Sequence, residues 1–280
     1  MTPKSRNVSV RRFVETPDGL KIAVQEWAPK SDKRDVVLIH GYSQSHLCWR
    51  RQIDSGLGDL CRIVSYDLRG HGDSDKPDDP AAYGEPERWA DEVHAVLTAT
   101  ACEKPILVGW SYAGRLILDY VHKYGTDALG GIVMVSATSG VGSAYRGPGA
   151  AWIPAMQADN LEDCCRAAIT FTEGVTVAPL PQDDFRMLLA AAMAVPVYVR
   201  RYMYTRAPSY ADALAAIACP TLIIHGDKDA IITLQMAHFT HQSVKGSTLS
   251  VYENVGHAPF IEDTDRFNAE LEALVRQLAL

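Results

Sequence analysis

Along this chain, short runs of apolar residues alternate with longer stretches in which apolar residues recur every three or four positions. The short runs fall at 36–40, 62–68, 106–110, 131–137, 221–225 and 248–252. Runs this brief and this apolar predict strands buried on both faces. Between them, 87–100 carries Trp89, Val93, Val96 and Leu97 at helical spacing. Residues 112–124 carry Leu116, Ile117, Tyr120 and Val121 and stop at Gly125, and Phe267, Leu271, Leu274, Val275 and Leu278 mark a C-terminal helix. Ahead of all these, 7–15 and 20–27 alternate apolar with polar around Thr16-Pro17-Asp18-Gly19, the pattern of a hairpin. Strand–helix alternation predicts an α/β fold with a largely parallel sheet and helices on both faces. The hairpin adds antiparallel strands at one edge and brings the total to eight.

One segment breaks the rhythm. From 138 to 208 no strand-like run occurs. A Gly- and Pro-rich stretch at 140–154 is followed by helical pieces near 161–171 and 185–193, with Met156, Met187, Met193, Tyr198, Tyr202, Met203 and Tyr204 spread among them. The reading is a helical cap, 138–208, inserted into a core made of 1–137 and 209–280.

Composition acts mainly by exclusion. With 280 residues, 47% hydrophobic and 22% charged, the chain can bury a substantial core. A net charge of −7 argues against nucleic acid or an anionic membrane as partner. The most apolar stretch, 187–199, contains Pro196 and falls short of the roughly 20 residues of a membrane span. The polar residues 1–7 lead into no apolar segment, so no secretory signal is expected. These features predict a cytoplasmic protein, monomer or homodimer, acting on a small molecule. Six cysteines, Cys164 and Cys165 adjacent, include no C-x-x-C pair, which leaves zinc and redox readings without their spacing. His238 and His241 lie three apart with no further ligand pattern, so neither metal nor cofactor is expected.

The chemistry enters at Gly109-Trp110-Ser111-Tyr112-Ala113-Gly114, which follows one strand run and opens a helix. A serine lifted onto such a turn can meet a base, which it needs to become a nucleophile. The flanking positions must be small. Gly109 is, and Ala113 stands where a second glycine is usual. His257, after the last strand run and before the last helix, is the candidate base, because an imidazole can exchange protons near neutrality. Asp229 or Asp227, both in His225-Gly226-Asp227-Lys228-Asp229, could orient it. An oxyanion hole needs two backbone N–H groups. Tyr112 supplies one, and Tyr42 in His40-Gly41-Tyr42-Ser43 is the choice for the other, with Gly41 expected to let the backbone turn sharply.

Together these residues resemble the α/β-hydrolase fold superfamily over nearly the whole chain. The resemblance includes His40-Gly41, the segment 67–74 (Asp67-Leu-Arg-Gly-His-Gly-Asp-Ser74), the turn at Ser111, Gly226-x-x-Asp229 and Gly256-His257. It implies a mostly parallel eight-stranded sheet, a cap between strands six and seven, Asp229 as the orienting acid, and the chain order Ser111, Asp229, His257. The 67–74 loop is similar to that of the epoxide hydrolase, haloperoxidase-like and C–C hydrolase branches. Epoxide hydrolases and haloalkane dehalogenases attack with aspartate, so Ser111 implies a serine branch. The expected activity is hydrolysis of a carboxylic ester or lactone of a small to medium apolar acyl compound, through an acyl-enzyme. Trp110, Trp152, Met156, Tyr198, Tyr202 and Ile231 are candidate pocket residues. Three alternatives accompany it: C–C (diketone) hydrolysis, for which Arg146, Arg166, Arg186, Arg200, Arg201 and Arg206 offer a carboxylate anchor, cofactor-free perhydrolysis, and a slow-turnover ligand sensor.

Overall fold

Each of the six apolar runs coincides with most of a strand of the sheet. The computed structural model describes residues 10–27, 33–140, 142–206 and 209–278; the beginning of the 7–15 strand lies outside the described residues, as do three positions of the 138–208 segment. The strands are β1 (Val10–Glu15), β2 (Lys21–Trp27), β3 (Arg34–Ile39), β4 (Cys61–Tyr66), β5 (Ile106–Trp110), β6 (Gly131–Val135), β7 (Thr221–Gly226) and β8 (Thr248–Tyr252). They form one sheet in the order β1-β2-β4-β3-β5-β6-β7-β8. The β1–β2 and β2–β4 pairs are antiparallel, and β4 onward is parallel.

Alternation within each strand divides the core. Val37 and Ile39 face one layer, with Leu107 and Val64, while Val36 and Leu38 face the other, with Ile106 and Val108. The first layer is closed by α1 (Pro86–Ala99) and α2 (Ala113–Tyr124) through Trp89, Val93, Leu116 and Ile117. The C-terminal helix Thr264–Gln277 closes the second through Phe267 and Leu271, beside Trp49 and Phe260. Burial on both faces is why these strands read as unbroken apolar runs.

The strand ends differ from the hydropathy reading for local reasons. β3 begins two residues earlier, at Arg34 and Asp35, because the charge is buried as a pair: Arg62 Nε donates to Asp35 Oδ1 at 2.7 Å and its Nη1 reaches Glu26 at 3.1 Å. β6 stops at Val135 because Ser136 turns into the left-handed region, φ 43°.

Between β6 and β7 lie the helices α3 (Leu161–Gly174), α4 (Gln182–Met193) and α5 (Val197–Tyr204). Asn160 caps α3 by accepting from the Asp163 N–H at 2.8 Å. Hydropathy did not announce α5, which begins directly after Pro196 and is mostly tyrosine, arginine and valine. The segment is tied down by its backbone carbonyls. Tyr42 Oη donates to Arg200 O (3.1 Å), Gln44 Nε2 to Leu188 O (3.2 Å), Ser43 Oγ to Ala192 O (3.3 Å) and Tyr112 Oη to Met203 O (3.2 Å). These bonds set α4 and α5 over the loops that leave β3 and β5, at the carboxyl ends of the strands, where open α/β sheets bind ligands. Among the described residues no helix is long and apolar enough to cross a membrane.

Candidate active site

Ser111 occupies the turn between β5 and α2 with φ 58°, a left-handed conformation that costs a non-glycine residue about 1–2 kcal/mol. The turn is held by three backbone bonds. Ser111 N–H donates to Val135 O (2.9 Å), and Ser111 O accepts from Gly114 N–H (3.0 Å) and Thr138 N–H (2.9 Å). The small neighbours have spatial reasons. A Cβ on Gly109 would lie 2.6 Å from Ile117 Cδ1 and 3.2 Å from Ala113 Cβ, so glycine at 109 is what makes room for the Ala113 methyl. A Cβ on Gly114 would lie 2.7 Å from Thr138 O.

The loop after β8 carries His257, fully buried, and the loop after β7 carries Asp229. His257 Nδ1–H donates to Asp229 Oδ2 at 2.7 Å, while Asp229 Oδ1 accepts the N–H groups of Ile231 (2.8 Å) and Ile232 (2.9 Å). Burial alone would raise the Asp229 carboxyl. The facing His257, His225 and these backbone donors outweigh it and hold the carboxyl below its ordinary range. Asp227 does other work, accepting from Asn254 N–H at 2.6 Å and so closing the turn against the His257 loop. His257 Nε2 is buried and has no hydrogen-bond partner among the described residues, which leaves it able to accept a proton. Trp110, the residue before Ser111, donates from its indole to His257 O at 2.8 Å with the rings 5.5 Å apart. The indole thereby links the His257 loop to the serine turn.

Among the described residues, neither the Tyr42 nor the Tyr112 backbone N–H has an acceptor. Gly41 serves a different purpose from the one expected. Its φ is not left-handed; a Cβ there would meet Ser111 Cβ at 3.0 Å and Trp110 O at 3.1 Å, so glycine allows the loop backbone to touch the serine. The left-handed residue is Ser43, φ 57°. Its N–H donates to His71 Nε2 (3.2 Å) and its Oγ accepts from Arg200 Nε (3.1 Å). His71 and Arg200 therefore support the loop, a role sequence reading missed because both partners are distant in the chain. Gly41→Ala is expected to displace the Tyr42 amide and lower kcat for ester hydrolysis by about 10²-fold, with an unchanged far-ultraviolet spectrum. Activity within twofold of wild type would remove the loop from the chemistry.

A cavity of about 190 Å³ opens beside Ser111, with Tyr42, Tyr112, Ile153, Met203, Ile231, Ile232 and Met236 on its walls. Of the pocket candidates only Ile231 lines it. Trp110 is buried beneath His257. Trp152 fills the space over Gly149 and Gly174 inside the 138–208 segment. Met156 is fully buried there, its carbonyl accepting from Arg200 Nη1 at 2.8 Å. Tyr198 and Tyr202, four apart and on one face of α5, turn to the 76–78 loop, donating to Lys76 O and Asp78 Oδ1 at 2.9 Å each. Met203, one residue on, projects to another side of α5 and reaches the cavity.

The sequence profile of the alpha/beta hydrolase family matches residues 36–270. The chain is 25% identical to the bifunctional esterase/perhydrolase of Acinetobacter calcoaceticus, over 94% of this chain and 99% of that one. The fold is similar to the crystal structure of a putative aryl esterase from Burkholderia cenocepacia (TM-score 0.92, 29% identity, 96% of this chain and 99% of that one). It is also similar to an esterase from Rhodococcus sp. ECU1013 (TM-score 0.90, 29% identity, the same coverage). The eight-stranded sheet, the order of its connections and this match across most of its length agree: the chain belongs to the alpha/beta hydrolase family.

Proposed function

We propose that this protein is a serine hydrolase that cleaves a carboxylic ester or lactone of a small to medium apolar acyl compound. The observation that carries the reading is the buried Asp229–His257 bond of 2.7 Å, whose free Nε2 belongs to a loop tied to the strained Ser111 turn. Ser111 Oγ attacks the carbonyl carbon and passes its proton to His257 Nε2, and Asp229 stabilises the imidazolium that forms. The Tyr42 and Tyr112 N–H groups hold the oxyanion; such a donor lowers the barrier by about 3–4 kcal/mol. The proton then goes to the leaving alkoxide, and a water, deprotonated by His257, releases the acid and restores the serine. We assign 138–208 as the cap that shields this chemistry, with Ile153 and Met203 giving its underside an apolar lining.

Nitrophenyl esters from acetate to decanoate test the reading. The expected result is steady turnover with an optimum short of decanoate, set by a cavity of about 190 Å³. A single burst with no further turnover would replace it with the ligand-sensor reading, and silence on every ester would end it.

A further inference from the structure

We propose that the cavity beside Ser111 contains a carboxylate subsite formed by Arg115, Arg146 and Arg206, so that the preferred ester carries a free carboxylate on an aliphatic arm. This rests on the hydrolase reading above. Three guanidiniums line the cavity and, among the described residues, no aspartate or glutamate does, on a chain whose net charge is −7. Elsewhere in the 138–208 segment, three arginines meet carboxylates, Arg166 with Glu162, Arg186 with Asp183 and Arg201 with Asp159, while Arg200 is held by Ser43 Oγ and by carbonyls. Of the three, Arg206 alone has such a partner among the described residues, Asp119 at 2.6 Å. The Arg115 side chain donates to Arg206 O at 2.6 Å and that of Arg146 to Tyr204 Oη at 3.4 Å; among the described residues neither forms an ion pair, although Asp119 also acts on Arg115 from farther away.

The arrangement concentrates positive charge at one place. Arg115 and Arg206 both lie over the Tyr112 ring, 5.3 and 6.0 Å from its centre, next to the serine. Arg206 is 5% exposed, and its Nε–H has no acceptor among the described residues. A buried donor on a cation without its acceptor is costly unless a ligand supplies one. A carboxylate offers two acceptor oxygens to a guanidinium fork, the pairing with the best geometry and strongest hydrogen bonds. The remaining walls, Ile153, Met203, Ile231 and Met236, suit the methylenes between that carboxylate and the ester carbonyl.

The test compares kcat/KM for esters of equal length that do or do not carry the carboxylate. Nitrophenyl monoesters of glutaric and adipic acid put the charge on the acyl arm, against nitrophenyl pentanoate and hexanoate. Pentanoate esters of short hydroxy acids, followed by acid release, put it on the alcohol arm. One anionic series is expected to exceed its neutral counterpart by at least tenfold, the advantage shrinking with added salt because Arg146 is exposed. Arg115→Gln and Arg146→Gln are expected to reduce the anionic-to-neutral ratio about tenfold, through KM. Equal rates for both classes in the wild type, or an unchanged ratio in both variants, overturns the subsite while leaving the hydrolase reading intact. If no ester turns over, the hydrolase reading has failed, and calorimetry on Ser111→Ala decides the subsite separately. Monomethyl glutarate binding that Arg146→Gln abolishes supports it; no binding, or binding indifferent to the substitution, rejects it.

Discussion

Ser111→Ala is expected to lower kcat/KM for a nitrophenyl ester by 10⁴-fold or more while the protein stays folded. The hydroxyl is the only atom removed, and the turn that carries it is held by backbone bonds to Val135, Gly114 and Thr138 that alanine keeps. Asp229→Asn should cost about 10⁴-fold, as the acid of such a triad does elsewhere. An amide presents an N–H where His257 Nδ1 needs an acceptor, so the ring turns or changes tautomer and Nε2 no longer accepts a proton. On the proposed mechanism the three groups act as one unit, so His257→Ala added to Ser111→Ala should cost nothing further. Additive losses, or an Asp229→Asn enzyme within tenfold of wild type, would mean that the 2.7 Å bond is structural and that proton transfer runs elsewhere.

Through His40, His71 and Asp119, stability is expected to fall by about 3 kcal/mol between pH 8 and pH 5. His40 and His71 lie fully buried with their rings 5.1 Å apart. Each donates from Nδ1 to a carbonyl, Gly41 O and Arg69 O, and each accepts a backbone N–H at Nε2, from Leu68 and Ser43. A second proton would face an N–H in a fully buried site. Burial, and the repulsion of neighbouring imidazoles, thus push His40 down to about 4 and His71 to about 3, against the pull of Asp67. The unfolded chain takes up these protons near pH 6.5. Between the two values the unfolded state binds more protons, so stability is complete above pH 6.5 and declines as pH falls. At about 1.4 kcal/mol per pH unit, each ring accounts for about 2 kcal/mol at pH 5. Asp119 acts in the opposite sense. Burial raises it to about 6, so its protonation favours the folded state by about 1 kcal/mol at pH 5. Urea midpoints at the two pH values measure the balance. A flat profile would show that one of these rings is reachable by solvent.

Both predictions concern residues that differ in how readable they were. Ser111 announces itself because three local requirements coincide in six consecutive residues: an apolar strand, a small-residue turn and a helix. The apolar runs were equally plain, since burial on both faces removes every polar position and leaves nothing to confuse the period. Charged pairs hidden in strands, such as Asp35 with Arg62, were not, because hydropathy scores each charge as solvent-seeking whatever its partner. Helix α5 escaped for a related reason: Tyr198, Arg201 and Tyr202 are met by Lys76 O, Gln157 O and Asp78 Oδ1, partners that hydropathy does not score.

The pocket was the least legible part. Tyr198, Tyr202 and Met203 look alike as large residues of one helix, and only the direction in which α5 is docked separates the two that meet the 76–78 loop from the one that meets the cavity. Trp152 and Met156 went to the interior of the 138–208 segment, where large apolar side chains bury most area. That Arg146 and Arg206, out of the six arginines named, reach the cavity, together with Arg115, which was not among them, was likewise invisible.

By itself, then, the sequence determined the strand–helix order, the serine turn and the identity of the candidate base, because periodicity, small-residue spacing and turn chemistry act over a few neighbouring residues. Local residues left Asp227 and Asp229 open and only the resemblance pointed to Asp229, while why position 41 must be glycine and which side chains line the cavity were decided only by the tertiary structure. Those outcomes depend on close approaches between segments far apart in the chain, where a difference of about one ångström separates contact from collision.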